Sequence, residues 1–159
     1  MGRIAAVALG SNLGDRRGHL DYAVSRLRSL LAGARVSPYD ETDPVGVDEP
    51  QPRYLNAAVV GETDLSARAL LERLLAIERE RGRERPHANA PRTLDLDLIL
   101  FGDLVVDEPD LIVPHPRFRE RRFVLEPLAA IAPELRDPVT ALTVAELLTR
   151  CAAPRTSSS

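Results

Sequence analysis

The chain has 159 residues, of which 44% are hydrophobic and 28% charged, a composition typical of one globular domain with a sizeable core. Its net charge of -3, without a run of basic residues, argues against a general nucleic-acid binder. A single cysteine, Cys151, excludes an internal disulfide and a cysteine metal cage. The first apolar run, residues 4–9, is too short for a signal peptide or a membrane span, so we expect a cytoplasmic protein without a membrane partner.

The apolar pattern of residues 4–100 predicts the order strand, helix, strand, strand, helix, strand. We predict strands at residues 4–9, 34–39, 54–60 and 94–100, a turn at residues 10–15, and helices at residues 20–31 and 65–81. Gly33 would stop the first helix, and Val36 is the clearest inward residue of the second strand. The second helix should bury one face, made of Leu70, Leu71, Leu74, Leu75 and Ile77.

This order is that of the split βαβ motif, so the predicted fold class is α+β, a ferredoxin-like βαββαβ sandwich with additional C-terminal helices. The later elements are a short strand at residues 105–107 and helices at residues 118–131 and 143–150. We expect residues 1–151 to form one domain and residues 152–159 to be a disordered tail. Two long loops, residues 42–53 and 82–92, are predicted to be functional and to close over one site.

The fourth predicted strand carries the clearest chemical signal. Leucines at 94, 96, 98 and 100 share one face by alternation, so Asp95 and Asp97 share the other, with Cα atoms about 7 Å apart. Two adjacent carboxylates suit a hard cation such as Mg²⁺, which proteins hold through one or two carboxylates and substrate phosphates. All 21 basic side chains are arginine, and Arg92 directly precedes the pair. Phosphoryl-group transfer uses such a set of groups, although a solvated face with surface ion pairs would also explain the pattern.

Four segments together resemble one family. They are Ala-Leu-Gly-Ser-Asn-Leu-Gly at 8–14, Tyr-Leu-Asn-Ala-Ala-Val at 54–59, Pro-Arg-Thr-Leu-Asp-Leu-Asp-Leu-Ile-Leu-Phe-Gly at 91–102 and Val-Pro-His-Pro at 113–116. The chain resembles the 6-hydroxymethyl-7,8-dihydropterin pyrophosphokinases of folate biosynthesis over residues 4–135. The resemblance implies a ferredoxin-like fold and the transfer of a pyrophosphoryl group from ATP to the hydroxymethyl oxygen of the pterin, with release of AMP.

The resemblance also implies roles for particular residues. Two Mg²⁺ ions would be held by Asp95 and Asp97, and the catalytic arginines would be Arg83 and Arg92. The pterin would be bound by Thr42, Val45, Tyr54, Asn56 and Phe123. The ATP contacts would be Glu78, Arg85, Leu98, His115 and Arg121. Taken alone, Tyr54 and Phe123 would be interpreted as core residues, Glu78 as a surface charge and His115 as a turn residue. The amide of Asn56 carries both a donor and an acceptor, which suits the edge of a pterin.

Several positions depart from the family pattern. Many members have a tryptophan shortly before Pro-Arg-Thr, whereas residues 86–90 contain none, and this loop is one residue shorter than in some members. Asp110, Ile112 and Pro116 stand where some members place arginine, threonine and tyrosine near ATP. These changes bear on rate and nucleotide affinity rather than on the type of reaction, because the carboxylate pair is intact.

We therefore expect a monomeric enzyme that acts on two small molecules, ATP and the pterin, and that has no nucleic-acid partner. Two alternatives belong to other functional classes. The first is a protein that binds pterin or nucleotide without turnover, which an assay for AMP formation would identify. The second is a ferredoxin-like nucleic-acid-binding module, which would need a basic sheet face with exposed aromatic side chains, whereas this chain offers adjacent aspartates.

Overall fold

A five-stranded antiparallel sheet with helices on both faces, together with a separate two-stranded hairpin, forms the structure, a computed structural model that describes residues 2–42, 53–82 and 93–151. Its strands are β1 (Arg3–Ser11), β2 (Ala32–Val36), β3 (Asp40–Thr42), β4 (Tyr54–Thr63), β5 (Asp95–Phe101), β6 (Val106–Glu108) and β7 (Leu111–Val113). Its helices are α1 (Arg16–Leu30), α2 (Ala67–Gly82), α3 (Arg122–Ile131) and α4 (Val144–Arg150), with a 3₁₀ turn at Phe118–Glu120. The central strands lie in the order β2-β4-β1-β5, and β3 also pairs with β4.

This arrangement confirms the predicted βαββαβ fold. Strand β1 pairs antiparallel with both β4 and β5, so that each half of the chain contributes a strand on either side of the sheet centre. Helices α1 and α2 follow β1 and β4 and cover one face. Helices α3 and α4 are the predicted C-terminal addition and pack against the other face.

Alternation along β1 assigns its side chains to the two faces. Val7 and Leu9 pack in the core beneath α1 and α2, together with fully buried leucines of both helices. Ala6 and Ala8 point to the opposite face, where α3 and α4 cover Ala6. Because α3 begins only at Arg122, the end of this second face near Ala8 is left open.

A β-bulge changes the predicted faces of β5. Ala6 pairs with Leu100 and the next residue, Val7, pairs with Leu98, so Ile99 has no partner on β1. An extra residue of this kind shifts the alternation by one position. Ile99 and Leu100 therefore both pack on the α3 and α4 side, and the prediction that Leu100 shares the face of Leu98 is wrong.

The ends of α1 also differ from the prediction. The helix begins at Arg16, after Asp15 as its N-cap, whose carboxylate accepts a hydrogen bond of 3.0 Å from the Gly18 amide. It ends at Leu30, and Gly33 lies inside β2 with a φ of +61°, so Gly33 does not stop the helix. The strand also begins earlier than predicted because this left-handed glycine permits an irregular pairing between β2 and β4.

Burial, strand pairing and backbone angles each correct one further prediction. In α2, Leu70, Leu74 and Ile77 are fully buried as predicted, whereas Leu75 is 42% exposed. The predicted strand at 105–107 is half of a hairpin, since β6 pairs with β7. The predicted helix at residues 118–131 is interrupted at Arg121, whose φ of -108° and ψ of 96° are extended. None of the described helices is both long and apolar enough to cross a lipid bilayer.

Candidate functional site

A cavity of about 490 Å³ occupies the part of the second sheet face that α3 leaves open. This volume lies in the usual range for small-molecule sites, roughly 300–1,000 Å³. The strands contribute Ala8, Leu9, Gly10, Thr42, Tyr54, Asn56, Asp95 and Asp97. The segment that enters α3 contributes Arg117, Glu120, Arg121, Arg122, Phe123 and Val124. The cavity therefore lies between the sheet and one wall, residues 117–124, which we call the α3 entry wall.

The strand β1 supplies almost no side-chain volume to the floor of the cavity at Gly10 and Ala8. Gly10 pairs with Asn56 on one side and with Asp95 on the other, and Ala8 pairs with Asp97. Adjacent strands lie about 4.8 Å apart, so the Cα atoms of Asn56 and Asp95 stand roughly 10 Å apart across Gly10. A planar ligand can thus lie over Gly10 with an amide at one edge and carboxylates at the other.

The two aspartates share the cavity face of β5, as their spacing predicts. Asp95 and Asp97 are half-buried, whereas Leu96 and Leu98 between and after them are buried on the opposite side. Within the described residues, no group of three or more histidine, cysteine or acidic side chains is arranged to hold a metal ion. A cation at this pair would therefore take further ligands from phosphate oxygens and water, as Mg²⁺ commonly does.

Asn56 has a defined orientation at the opposite edge of the floor. Its Nδ2 donates a hydrogen bond of 2.6 Å to the hydroxyl of Thr42. A Cβ atom placed on Gly10 would lie 3.4 Å from Asn56 Oδ1, so this carbonyl oxygen lies above the floor. The bond to Thr42 uses one of the two N–H groups of Asn56 and orients the amide, so that Oδ1 is placed to accept from a ligand N–H group.

Two aromatic side chains predicted to bind a ring line the same cavity. Tyr54 borders Gly10, since a Cβ there would lie 3.5 Å from Tyr54 Cδ1. Phe123 comes from the α3 entry wall, and the guanidinium of Arg121 lies 5.7 Å from its ring centroid. Both rings are half-buried, which leaves apolar surface for a ligand.

The α3 entry wall contains charged residues that the sequence interpretation missed. Arg117, Glu120 and Arg122 line the cavity beside the predicted Arg121. Arg122 is paired with Glu126 one turn further along α3, at 2.9 Å. The available signal was the arginine-rich run after Val-Pro-His, but only the fold shows which of its members face the cavity.

His115 is held next to the cavity rather than in its lining. Its backbone amide donates to Ile99 O at 3.0 Å, and its Nδ1 accepts from the Arg117 amide at 3.2 Å. Burial lowers the pKa of His115, and the positive charges of Arg121 and Arg117 lower it further against the opposing effect of Asp95. The ring is therefore neutral at pH 7 and is fixed at the start of the α3 entry wall.

We expect the free energy of unfolding to fall as the pH decreases from 7.5 to 5.5. Burial also lowers the pKa of His19, with a further contribution from Arg81, so the folded state binds fewer protons at both histidines than the unfolded state. The stability that these two neutral histidines contribute is then fully present above the ordinary histidine pKa of about 6.5, and it is lost progressively as the pH falls below that value. Urea unfolding at both pH values should show a smaller pH effect in His115→Gln; equal effects in the variant and the parent would contradict this assignment.

Glu78 and Leu98 do not line the cavity. Glu78 on α2 accepts a hydrogen bond of 2.7 Å from the Leu96 amide of the edge strand β5, which ties the helix to the strand carrying the aspartates. The side chain of Leu98 is 5% exposed and packs under α1 and α2, so it faces away from the cavity. Four other predicted residues, Val45, Arg83, Arg85 and Arg92, lie outside the described residues.

The departure at Asp110 has a structural counterpart. Arg68 on α2 contacts Asp110 at 2.9 Å and also contacts Glu108, so the β6-β7 hairpin is fastened to α2 by charge pairs. Ile112 is 41% exposed, and Pro116 is exposed next to the α3 entry wall. Asp110, Ile112 and Pro116 are not among the residues that line the cavity.

Two bacterial proteins that are similar to this chain carry the same name. A Bacillus subtilis protein named 2-amino-4-hydroxy-6-hydroxymethyldihydropteridine pyrophosphokinase is 45% identical over 142 residues, which cover 88% of this chain and 84% of the relative. A Pseudomonas aeruginosa protein of the same name is 44% identical over 147 residues, which cover 91% and 90%.

A solved structure supports the fold independently. Wild-type Plasmodium falciparum HPPK-DHPS matches 94% of this chain with a TM-score of 0.73 at 16% identity. The match covers 45% of that solved chain, so this chain spans less than half of its length. A family model described as 7,8-dihydro-6-hydroxymethylpterin-pyrophosphokinase matches residues 6–133, most of the sequence. The chain therefore belongs to the 7,8-dihydro-6-hydroxymethylpterin-pyrophosphokinase family.

Proposed function

We propose that the cavity is the active site in which this chain, a pyrophosphokinase of folate biosynthesis, transfers pyrophosphate from ATP to 6-hydroxymethyl-7,8-dihydropterin. The observation that carries this assignment is the placement of two carboxylates and an oriented amide on opposite sides of β1, which contributes only Gly10 and Ala8 between them. The carboxylate edge suits a metal-bound polyphosphate, and the amide edge suits a planar heterocycle. The two substrates would thus meet over the middle of the floor.

The pterin half of the site is assigned to Thr42, Tyr54, Asn56 and Phe123. Asn56 Oδ1 would accept a hydrogen bond from a ring or amino N–H of the pterin, while Thr42 holds the other end of the amide. Tyr54 and Phe123 would cover the ring with apolar surface. Val45 is assigned to the same half from the family resemblance.

The nucleotide half is assigned to the carboxylate edge and the arginines. Asp95 and Asp97 would hold two Mg²⁺ ions together with oxygens of the ATP phosphates, and their acceptor-only chemistry and position in the cavity fit these ions. Bound Mg²⁺ would neutralise charge that develops on the phosphates during transfer. Arg121 on the α3 entry wall, with Arg83, Arg85 and Arg92, would add guanidinium donors around the same phosphates. His115, Glu78 and Leu98, which do not line the cavity, are assigned to ATP from the family resemblance.

Catalysis by these residues would rest on alignment and electrostatics. The hydroxymethyl oxygen attacks the β-phosphorus and releases its proton to solvent. The bond between the β-phosphorus and the oxygen that bridges to the α-phosphorus breaks, and AMP leaves with that oxygen. Holding both substrates over one sheet would supply the alignment, and the arginines would supply the charge stabilisation. Both contributions require that the α3 entry wall keeps a fixed distance and orientation relative to the cavity floor.

The experiment is an assay with purified protein, ATP, Mg²⁺ and the reduced pterin, followed by chromatography of the nucleotides. AMP should form in a one-to-one ratio with pyrophosphorylated pterin, and a chelator of Mg²⁺ should stop the reaction. Formation of ADP would contradict pyrophosphoryl transfer. Binding of the pterin without any AMP would instead identify a protein that binds without turnover.

We expect Asn56→Ala to weaken pterin binding by about 1–3 kcal/mol, the usual cost of losing a buried hydrogen-bond partner. ATP binding should change little, because Asn56 lies at the opposite edge of the floor from the aspartates. Calorimetric titration with each ligand separately measures both effects. Equal losses for the two ligands would place Asn56 in a general structural role.

We further propose that the chain acts as a cytoplasmic monomer with residues 1–151 as its single domain. The reaction consumes ATP, which favours a compartment that supplies it. The cavity is built from residues of one chain, so no second copy is needed to complete it. Light scattering after gel filtration tests the monomer, and cell fractionation tests the location.

A further inference from the structure

One charge pair with a buried carboxylate lies outside the cavity but next to its wall. Asp137, in the turn between α3 and α4, is the only fully buried acidic side chain among the described residues. Its two carboxylate oxygens accept hydrogen bonds from Arg119 Nε at 2.5 Å and Nη2 at 3.0 Å. The Thr140 hydroxyl at 2.7 Å and the Val139 amide at 3.0 Å also donate to it. The pair is therefore a complete, two-pronged contact.

Such a contact holds its partners in one geometry. Burial of a carboxylate is unfavourable unless hydrogen-bonded charges surround it, and a guanidinium that donates two parallel bonds fixes both distance and angle. Burial raises the pKa of Asp137, but the hydrogen bonds from Arg119, Thr140 and Val139 outweigh it and hold the pKa below its usual range. Asp137 thus stays ionised and paired throughout the neutral pH range.

Arg119 occupies a special position in the α3 entry wall. Of the eight residues from 117 to 124, six line the cavity, and only Phe118 and Arg119 do not. Phe118 is fully buried in the core, and the Arg119 guanidinium lies 5.0 Å from its ring centroid. These two residues therefore form the back of the wall, and the other six form its front.

Neither helical turn of the wall has a side-chain cap at its start. Helix α3 begins without a side-chain hydrogen bond to its first turn, because its N-cap residue is Arg121, which has no acceptor to offer. The 3₁₀ turn before it also has no side-chain cap. At its two ends the wall is held by His115, which bonds to Ile99 O and accepts from the Arg117 amide, and by the buried Val124. Between these ends, the burial of Phe118 and the bond from Arg119 to Asp137 anchor its back.

We propose that the Arg119–Asp137 pair is a positioning device that holds the α3 entry wall over the cavity floor, so that Arg121 and Phe123 meet the two substrates in register. The expected effect on kcat and KM rests on the proposed function. The expected effect on the motion of residues 117–124 rests on the geometry of the wall alone. Loosening the pair should let residues 117–124 fluctuate while the sheet and α4 remain intact.

The test variant is Asp137→Asn, which keeps the size of the side chain and an acceptor for Thr140. It removes the charge and replaces the oxygen that accepts from Arg119 Nη2 and the Val139 amide by an N–H donor. Hydrogen exchange of the ligand-free protein should become faster in residues 117–124 and stay unchanged in β1 and β4. In the assay, kcat should fall by about 10- to 100-fold, because a displacement of about 1 Å at a reacting group costs up to about a hundredfold. The pterin KM should rise as well, since Phe123 belongs to the same wall.

The matched control is Arg35→Gln, which removes a tether at the other end of α3. Arg35 donates to the Ile131 carbonyl at 2.8 Å and pairs with Glu134 at 3.4 Å. This variant should lower the melting temperature without changing exchange in residues 117–124 or the kinetic constants. If Arg35→Gln changed the exchange of residues 117–124 and the kinetic constants as much as Asp137→Asn does, the effect would come from loosening α3 in general, and the proposal would be overturned.

A second variant keeps the test decisive should Asp137→Asn fold poorly. Arg119→Lys keeps the positive charge but cannot form two parallel bonds, so it should give a smaller change of the same kind. The double variant Arg119→Gln/Asp137→Asn restores a neutral hydrogen-bonding pair and should recover part of the activity lost in Asp137→Asn. If exchange of residues 117–124 is unchanged in the folded variants, the proposal is overturned, whether or not the parent protein turns over the pterin. If the variants exchange faster in residues 117–124 but the parent protein shows no turnover, only the proposed function is contradicted.

Discussion

Asp97→Asn is expected to reduce turnover by about 10²- to 10⁴-fold, since a catalytic metal contributes several kcal/mol and each 1.4 kcal/mol is tenfold. The asparagine keeps the shape of the side chain but offers a weaker, uncharged ligand to Mg²⁺. The fold should remain, because Asp97 faces the cavity while Leu96 and Leu98 carry the packing of β5. Steady-state rates at several Mg²⁺ concentrations and calorimetry of Mg-ATP binding measure the effect.

The matched control is Asp107→Asn, on the exposed face of β6. It removes one strand carboxylate and the same charge, but far from the cavity lining, so the Mg²⁺ dependence should be that of the parent protein. Near-normal turnover of Asp97→Asn at limiting Mg²⁺ would remove Asp97 from the metal site. A thermal unfolding curve shifted strongly downward would show instead that Asp97 has a structural role.

The sequence predicts the face of the two aspartates because strand alternation depends only on neighbouring residues. Asp95 and Asp97 precede the bulge at Ile99, so the period of two holds for them and fails for Leu100. No residue type marks the bulge in the sequence, since Leu98, Ile99 and Leu100 are all large and aliphatic. The location of the bulge is set by the pairing with β1, which a local pattern does not contain.

The family resemblance supplied Asn56 and Phe123 as ligand residues, but their physical meaning comes from tertiary structure. The direction of the Asn56 amide depends on the Thr42 hydroxyl, which is brought to it by the pairing of β3 with β4. Likewise, Arg119 and Asp137 are 18 residues apart and meet only once α3 has packed on the sheet. Contacts between distant residues of this kind could not be predicted from spacing.

Gly10 shows how a residue without a side chain can define a site. It lies on β1 between Asn56 and Asp95, on the cavity face, and it contributes only backbone to the floor. A Cβ there would lie 3.4 Å from Asn56 Oδ1 and 3.5 Å from Tyr54 Cδ1, at about ordinary contact distance. A methyl group therefore fits the folded protein but occupies the surface on which a planar ligand would lie.

We expect Gly10→Val to weaken pterin binding by about 10- to 100-fold, since overpacking costs about 1–3 kcal/mol and 1.4 kcal/mol is tenfold. Valine suits a strand, so the protein should fold, and its two methyl groups would project over the floor between Asn56 and Asp95. Gly10→Ala should give a smaller loss, and ATP affinity should fall less than pterin affinity in both variants. Calorimetric titration with each ligand measures these affinities.

The graded pair of substitutions separates occlusion from general damage to the sheet. Ala32→Val places the same side chain at an exposed position of β2, away from the cavity, and should leave both affinities unchanged. If the loss is steric, pterin affinity decreases from glycine to alanine to valine, and the step from glycine to alanine does so with little change in the melting temperature. Normal pterin affinity in a folded Gly10→Val protein would mean that the pterin does not lie on this floor, and the assignment of the two halves of the cavity would be wrong.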